Sequence, residues 1–351
     1  MRQLTLQLPT RYQMKPAKSV EGVWDEIQAY TRPVLIGEQG YLPDGRPLAV
    51  ADATGLPSGS FKERGAIAKL RELQQDGVEY VVTASAGNFA AGVALGARAL
   101  GMRAVVFVPD GTPSVKLANI TAIGGKQVEV ACAGSSFEQA YQAAQCYGNE
   151  HDLPLVEPFN DQTVALGQGT VAYELLERYG DIDHLLVPAG GGGLLAGCIE
   201  AMKRSRTKVY GVKLSAEEYL CEGANVQALG DVALRTITAH RTNWGGMLQV
   251  DPADVGAMVE LEDRVRNVHA AAMGEAAYED YPEATALLGV AAAHKYFENL
   301  PGKVAAIMTG SNADHGKLDV LHQRYLEARE PQMTARPSLQ MASGYQLRGA
   351  V

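Results

Sequence analysis

SGSFKERGA, residues Ser58–Ala66, places one lysine in the opening turn of a predicted helix, directly after small and flexible residues. Ser60 and Glu63 fit the capping-box pattern, which predicts that the helix begins at about Phe61. Lys62 then lies near the positive end of the helix dipole, where an ammonium group is disfavoured. A lysine with a lowered pKa is a usable amine that can form a Schiff base with an aldehyde. The alternative is an ordinary solvated lysine, and three further segments argue against it.

The first of these segments is a tight turn, SAGN, which directly follows the apolar run Tyr80–Ala84. A helical pattern then continues to Leu100, so the order predicts a strand, a turn and a helix. Backbone N–H groups at a helix N-terminus suit a carboxylate, and the amide of Asn88 can hydrogen-bond a phenolic oxygen. The predicted carboxylate-binding residues of this turn are Ser85, Ala86, Gly87, Asn88 and Phe89. An ordinary strand-to-helix turn is the alternative for this segment alone.

The second segment is a run of four glycines between a strand pattern and a helix pattern. The strand pattern covers His184–Pro188, and the helix pattern follows from Leu194. Four bare backbone positions can surround a phosphate with N–H groups. The predicted phosphate-binding residues are Gly190, Gly191, Gly192, Gly193 and Leu194.

The same glycines also satisfy a loose dinucleotide-binding fingerprint. Gly191, Gly193 and Ala196 match the pattern G-x-G-x-x-A, which expects an acidic residue about twenty positions further on. The next predicted strand, Lys208–Val212, runs into Lys213 instead. Because the acid is missing, we favour phosphate binding without a dinucleotide.

The third segment is a late apolar strand, Val304–Met308, which ends in Thr309 and Gly310. The Thr309 hydroxyl can meet a ring nitrogen without carrying a charge. Taken singly, this segment would be interpreted as an ordinary strand end.

In this order the four segments resemble the pyridoxal-phosphate enzymes of fold type II, and most closely the threonine and serine dehydratases, which are ammonia-lyases. The most specific motifs are Ser60–Ala66 and Gly190–Gly193 at their observed separation. Supporting resemblances lie at Ser85–Asn88, Pro158–Asp161, Gly167–Thr170 and Pro282–Ala284. The resemblance covers roughly residues 45 to 320.

Three positions depart from the pattern of that family. Phe89 stands where the family usually has histidine after the turn asparagine. Thr309–Ser311 replaces the usual serine followed by two glycines, and it is similar to threonine synthases. Ala86 stands where serine racemases of this fold carry a second serine as the base on the opposite face. Racemisation is therefore disfavoured, while elimination and replacement both stay open.

The resemblance implies an α/β fold like the tryptophan synthase β subunit, with two domains that each contain a mostly parallel sheet flanked by helices. We expect a large pyridoxal-phosphate-binding domain from residues 1–52 and 156–330, a small domain at 53–155, and a C-terminal tail at 331–351. The alternation of strand and helix patterns agrees with parallel sheets. The predicted strands are Tyr80–Ala84, Arg103–Pro109, Gln127–Ala131, Leu153–Val156, Leu185–Pro188, Lys208–Val212 and Val304–Met308.

The resemblance also assigns roles to residues. Lys62 would hold pyridoxal 5'-phosphate covalently and act as the catalytic base. Phe61, Asn88 and Thr309 would contact the cofactor, whose phosphate would lie at Gly190–Gly193 and Leu194. The substrate carboxylate would bind the turn at Ser85–Phe89. A neutral hydroxyl at the ring nitrogen favours prompt loss of a β-substituent over racemisation or transamination.

The predicted activity is α,β-elimination from a hydroxy amino acid of the L-threonine or L-serine type, giving a 2-oxo acid and ammonia. The alternative on the same scaffold is a β- or γ-replacement synthase similar to threonine synthase or cysteine synthase. A protein that does not use pyridoxal phosphate, either an oxidoreductase or a binding module, is the third possibility.

Composition places few further limits on function. The chain has 351 residues, of which 46% are hydrophobic, and its net charge is −9. This charge argues against nucleic-acid and anionic-membrane partners. The four cysteines have no C-x-x-C spacing and the histidines form no metal motif, so we assign no metal ligands, and a bound cation stays open. The segment Met1–Thr5 lacks the apolar core of a signal peptide, which predicts a cytoplasmic enzyme. A homodimer or homotetramer is expected.

Overall fold

The computed structural model describes residues 19–216, 218–226, 228–273 and 281–334. It is an α/β structure, as predicted. The strands are β1 (Leu35–Tyr41), β2 (Pro47–Asp52), β3 (Tyr80–Ala84), β4 (Arg103–Val108), β5 (Val128–Cys132), β6 (His184–Pro188), β7 (Lys208–Leu214), β8 (Trp244–Val250) and β9 (Val304–Met308). The helices are α1 (Val20–Ile27), α2 (Lys62–Gln75), α3 (Asn88–Leu100), α4 (Ser114–Gly124), α5 (Phe137–His151), α6 (Gln162–Tyr179), α7 (Gly193–Met202), α8 (Asp231–Ala239), α9 (Pro252–Met273), α10 (Leu288–Lys295) and α11 (His315–Thr334).

The larger sheet has the strand order β1-β2-β9-β6-β7-β8. Strands β1 and β2 pair antiparallel, and the other neighbours pair parallel. Both faces are covered: Leu185 and Ala305 pack in a core with α6 and α7, whereas Leu186 and Ala306 pack in a core with α9, α10 and α11. Two buried faces explain the continuous apolar runs of β6 and β9, since parallel strands between helix layers have no solvated side.

The smaller sheet is parallel, with the order β3-β4-β5. Val81 packs in a core with α2 and α3, and Val82 packs on the opposite face near α5. The strands of this sheet fall within residues 53–155, and those of the larger sheet fall within 1–52 and 156–330. The predicted division into two domains with these boundaries stays a prediction.

Two predicted features need correction. The segment Leu153–Val156 forms a single bridge, Leu155 with Val82, in place of a strand. Pro154 has no N–H to donate, so a regular ladder cannot continue through it. The predicted tail at residues 331–351 begins inside α11, which continues to Thr334. Residues 335–351 lie outside the described part of the chain.

Helix α6 lies between the two helices that carry the predicted site motifs, and glycines permit both contacts. A Cβ atom on Gly167 would lie 2.6 Å from the backbone oxygen of Arg64 in α2. A Cβ atom on Gly197 in α7 would lie 2.0 Å from the backbone oxygen of Ala165 in α6. These backbone contacts fix the positions of α2 and α7 relative to each other.

In the part of the chain that the structure describes, no helix is both long and apolar enough to cross a membrane. Within the same ranges, no group of three or more His, Cys, Asp or Glu side chains is placed to hold a metal ion.

Candidate active site

A pocket, the cavity of the candidate active site, lies at the carboxyl ends of the neighbouring strands β6 and β9. Three helix N-termini meet there, because Lys62 begins α2, Asn88 begins α3 and Gly193 begins α7, and all three residues line the cavity. Helix N-termini carry partial positive charge and free N–H groups. The cavity is therefore suited to a ligand with more than one anionic group.

Backbone hydrogen bonds hold the lysine segment against the end of β9. Phe61 N donates to the Thr309 carbonyl oxygen at 3.0 Å, and Ser311 N donates to the Gly59 carbonyl oxygen at 2.9 Å. Ser60 and Gly310 form an antiparallel bridge between these two contacts. Lys62 and Thr309, which are far apart in the sequence, consequently line the same cavity.

The pKa of Lys62 is lowered to about 8, mainly because of burial, while the negative charge of Glu283 acts in the opposite direction. The lowered pKa agrees with the expectation from the sequence, although burial accounts for it here. The predicted capping box is wrong. Ser60 Oγ accepts from Lys62 N at 3.4 Å, and the Glu63 carboxylate accepts from Ser58 N at 2.7 Å. Helix α2 begins at Lys62, one residue later than expected.

The glycine loop is tightly enclosed by its neighbours. A Cβ atom on Gly190 would lie 2.3 Å from the Gly223 carbonyl oxygen, and one on Gly191 would lie 2.5 Å from the ring of Phe159. Gly192 has a φ of +92°, in the left-handed region that favours glycine. Larger residues would therefore fill the loop or strain its backbone.

The same loop presents donors without acceptors. Within the described ranges, no group accepts a hydrogen bond from the N–H groups of Gly191, Gly192 or Gly193, which lead into α7. Unpaired N–H groups at the N-terminus of a helix bind phosphate well. The loop, together with Leu194 in the cavity wall, fits the phosphate of a pyridoxal cofactor.

The predicted carboxylate-binding turn lies at the N-terminus of α3. Gly87 N donates to Ser85 Oγ at 3.3 Å, and Asn88 enters the cavity wall. Ser85 and Ala86 are partly exposed and Gly87 is exposed, and none of the three is among the residues that line the cavity. The side chain of Phe89 is 3% exposed and packs in the core of the smaller sheet. Only the backbone of Phe89 can therefore contact a ligand.

Glu283 is a cavity residue to which the sequence analysis gave no role. Its Oε2 accepts a hydrogen bond from Asn88 Nδ2 at 2.9 Å, and its Oε1 lies 3.2 Å from Thr309 Oγ1. Burial raises the pKa of Glu283. The backbone N–H of Glu283 donates to the Gly310 carbonyl oxygen at 2.9 Å, which ties it to the end of β9. Further lining residues that sequence reasoning missed are Pro188, Gly223 and Thr285.

The fold and the cavity together define a fold type II enzyme. The family described as Pyridoxal-phosphate dependent enzyme matches residues 46–310. The chain belongs to this family, and pyridoxal phosphate is its cofactor.

The chain is similar to proteins named threonine dehydratase, ammonia-lyase and deaminase. The biosynthetic L-threonine dehydratase of Haemophilus influenzae is 31% identical over 292 residues, covering 76% of this chain and 53% of the relative. The L-threonine ammonia-lyase of Geobacter sulfurreducens is 32% identical over 278 residues, covering 77% and 68%. The crystal structure of a threonine deaminase from T.th. has a TM-score of 0.69 and 27% identity, covering 84% of this chain and 97% of that one. This chain thus spans about half the length of the Haemophilus influenzae relative.

Proposed function

We propose that this protein is a pyridoxal-phosphate-dependent ammonia-lyase that converts a hydroxy amino acid of the L-threonine or L-serine type to a 2-oxo acid and ammonia. The observation that carries the proposal is the convergence of Lys62, the glycine loop and Thr309 on one cavity. The relatives are a dehydratase and an ammonia-lyase, which supports elimination rather than replacement. This chain spans 53% and 68% of the length of those two relatives, so the activity is proposed for it.

Each side of the cavity has a separate task in this proposal. Gly190–Gly193 and Leu194 would hold the cofactor phosphate, and Lys62 would hold its aldehyde. Phe61 and Asn88 would contact the ring and its phenolic oxygen, and Thr309 would contact the ring nitrogen. The substrate carboxylate binds the N–H groups of the turn at Ser85–Phe89, where the N-terminus of α3 favours negative charge.

The bound cofactor supplies an electron sink for the negative charge that develops at the substrate Cα. Lys62 then holds or moves the proton. With its pKa lowered to about 8 by burial, the Lys62 amine is neutral in about a tenth of the molecules at pH 7, far more than at its ordinary pKa. Its Nζ can take the Cα proton as a general base. Ala86 offers no second base from the turn, so proton return on the opposite face is disfavoured.

A coupled assay tests this function directly. Purified protein containing pyridoxal phosphate is mixed with a panel of L-amino acids, and 2-oxo acid and ammonia are both measured. We expect the two products in equal amounts from L-threonine or L-serine. Formation of a substituted amino acid after addition of a thiol, with no 2-oxo acid, would contradict elimination and favour the replacement alternative.

A cytoplasmic location and a homodimeric or homotetrameric assembly stay predictions from the sequence. Size-exclusion chromatography with light scattering tests the assembly.

A further inference from the structure

The segment Pro158–Asn160 packs against the glycine loop. A Cβ atom on Gly193 would lie 3.0 Å from the Cα atom of Phe159. The Pro158 carbonyl oxygen accepts a hydrogen bond from Gln168 Nε2 at 3.1 Å, and Gln168 is fully buried in α6. The segment is therefore held between α6 and the loop, although none of its three residues is among those that line the cavity.

Asn160, the last residue of this segment, caps helix α8. Its Oδ1 accepts a hydrogen bond from Val232 N at 3.1 Å. A backbone N–H group only donates, so the oxygen of the Asn160 amide must be the atom that faces the helix. Helix α8 begins at Asp231, and its N-cap is Gly230, which has no side chain that could accept from the first turn. Asn160 thus supplies the cap that Gly230 cannot provide.

The capped end of α8 is hydrogen-bonded to the glycine loop. Gly230 N donates to the Gly191 carbonyl oxygen at 2.9 Å. In a planar trans peptide the C=O group and the following N–H group point in opposite directions. The N–H of Gly192 therefore points away from α8. Because glycine tolerates many backbone conformations, loss of this hydrogen bond would let the peptide rotate and turn the Gly191 oxygen toward the cavity.

Helix α8 is also packed closely against both the cap and the loop. A Cβ atom on Gly230 would lie 2.9 Å from Asn160 Oδ1, and one on Gly192 would lie 2.6 Å from the Cβ of Ala233 in α8. Closely packed groups transmit small shifts to their neighbours. A displacement of the first turn of α8 would therefore reach the loop directly.

We propose that Asn160 is a positioning residue for the phosphate of the cofactor. By capping α8 it fixes the Gly230 N–H, which holds the Gly191 carbonyl oxygen away from the cavity and leaves the Gly192 N–H free to donate to a phosphate oxygen. This inference rests on the proposed function, in which the glycine loop would hold the cofactor phosphate. A rotated Gly191 carbonyl oxygen would repel that phosphate, since both are hydrogen-bond acceptors. Loss of the cap should therefore weaken ligands that carry a phosphate and spare those that do not.

The test compares pyridoxal phosphate with pyridoxal, which has the same ring and aldehyde but no phosphate. Absorption titrations of the cofactor-free chain give the dissociation constants of both ligands. We expect Asn160→Ala to weaken pyridoxal phosphate binding about fivefold or more, the effect of one lost helix cap, and to change pyridoxal binding less than about twofold. The matched control is Ser136→Ala, which removes the cap of α5, where Ser136 Oγ accepts from Gln139 N at 3.3 Å. This control should leave both dissociation constants unchanged.

Asn160→Asp is the rescue variant, because its carboxylate also accepts a hydrogen bond and is favoured at a helix N-terminus. It should bind pyridoxal phosphate within about threefold of the wild type, since its added charge is exposed and screened. The phosphorus-31 resonance of the bound phosphate should move in Asn160→Ala and stay near its wild-type position in Asn160→Asp.

Two results would overturn the inference. One is an Asn160→Ala protein that loses affinity for neither ligand, or equally for both. The other is an Asn160→Asp protein that binds pyridoxal phosphate more than about tenfold more weakly than the wild type, although it keeps the cap. The second result decides even when Asn160→Ala does not fold.

The elimination assay on the same preparations separates this inference from the proposed function. A wild-type protein that yields 2-oxo acid and ammonia, together with unchanged pyridoxal phosphate affinity in Asn160→Ala, overturns the inference alone. A wild-type protein that yields neither product, together with a loss confined to pyridoxal phosphate in Asn160→Ala, overturns the proposed function alone.

Discussion

At the scale of one residue, the burial of the reactive Lys62 amine destabilises the folded protein. Its pKa of about 8 lies below its ordinary value of 10.5, because burial disfavours the ammonium form. The folded protein therefore binds fewer protons at Lys62 than the unfolded chain does between these two pH values. The penalty is fully present below pH 8 and disappears as the pH rises through 10.5.

Replacing Lys62 by Met in the cofactor-free protein should therefore raise stability. We expect a gain of at most about 3 kcal/mol below pH 8, which shrinks as the pH rises toward 10.5. The control is Lys295→Met, since hydrogen bonds to Asp251 and Asp254 raise the pKa of Lys295 despite its partial burial. That variant should lose up to about 1 kcal/mol. Melting curves across this pH range check both, and a stability loss in Lys62→Met would contradict the burial argument.

The glycine loop makes a second prediction at this scale. Gly191→Ala should weaken pyridoxal-phosphate binding at least about tenfold, because its Cβ would lie 2.5 Å from the Phe159 ring and displace the loop. The matched control is Gly111→Ala, where a Cβ meets nothing within 4 Å. Fluorescence titration with the cofactor gives both affinities. Equal cofactor affinities in the two variants would show that the glycine loop does not bind the cofactor.

The sequence predicts several site residues because each stands at the end of a strand or the start of a helix. These residues are Lys62, Asn88, Gly190–Gly193 and Thr309. Glu283 could not be given a role in the same way. Its backbone hydrogen bond to Gly310 and its side-chain hydrogen bond from Asn88 join segments that are distant in the sequence, and the sequence pattern does not show such contacts. The capping box failed for a related reason, since the Glu63 carboxylate is used by Ser58 and by Thr31.

At the scale of elements, α6 determines where the lysine helix and the phosphate-binding helix lie. Its contacts with α2 and α7 are backbone to backbone, which only glycine permits at the crossing points. The precision of the site therefore depends on a helix that contributes no lining residue to the cavity.

Gly197→Ala tests this packing. In a free helix the change would stabilise by up to about 1 kcal/mol, because alanine is the better helix former. Here the new Cβ would lie 2.0 Å from the Ala165 carbonyl oxygen, so we expect a loss of about 2 kcal/mol or more. Denaturant unfolding measures the sign directly. A gain in stability would show that α6 and α7 do not pack this closely.

Strands β3, β6 and β9 matched the predictions within one residue because buried parallel strands are continuous apolar runs. Strands β1, β2 and β8 were not predicted. β1 and β8 each contain two glycines, and β2 begins at Pro47. Glycine and proline weaken the strand pattern in a sequence. These three segments become strands because they pair with neighbouring strands.

At the scale of the whole molecule, two kinds of ion pair join the parts that surround the cavity. The Arg64–Glu174 pair, at 2.7 Å, is buried between α2 and α6. Glu222, in the segment that lines the cavity mouth, contacts Lys116 of α4 at 3.1 Å and also Lys317 of α11. Both ion pairs of Glu222 are partly exposed, so water and salt screen them.

Burial should therefore decide how much each pair contributes to stability. Glu174→Gln leaves the buried guanidinium without its counter-charge and should lose about 3 kcal/mol of unfolding free energy. Glu222→Gln should lose less than about 1 kcal/mol, and the loss should shrink further at high salt. Chemical unfolding at two salt concentrations compares them. Equal losses would show that exposure does not set the contribution of these pairs.

The central claim is that Lys62 carries the cofactor, and one measurement tests it most directly. The purified protein is reduced with borohydride, digested and analysed by mass spectrometry. The predicted result is a pyridoxyl-phosphate adduct on the peptide that contains Lys62, together with loss of the visible absorption band. An unmodified Lys62 peptide, with the adduct on a different lysine, would contradict the account.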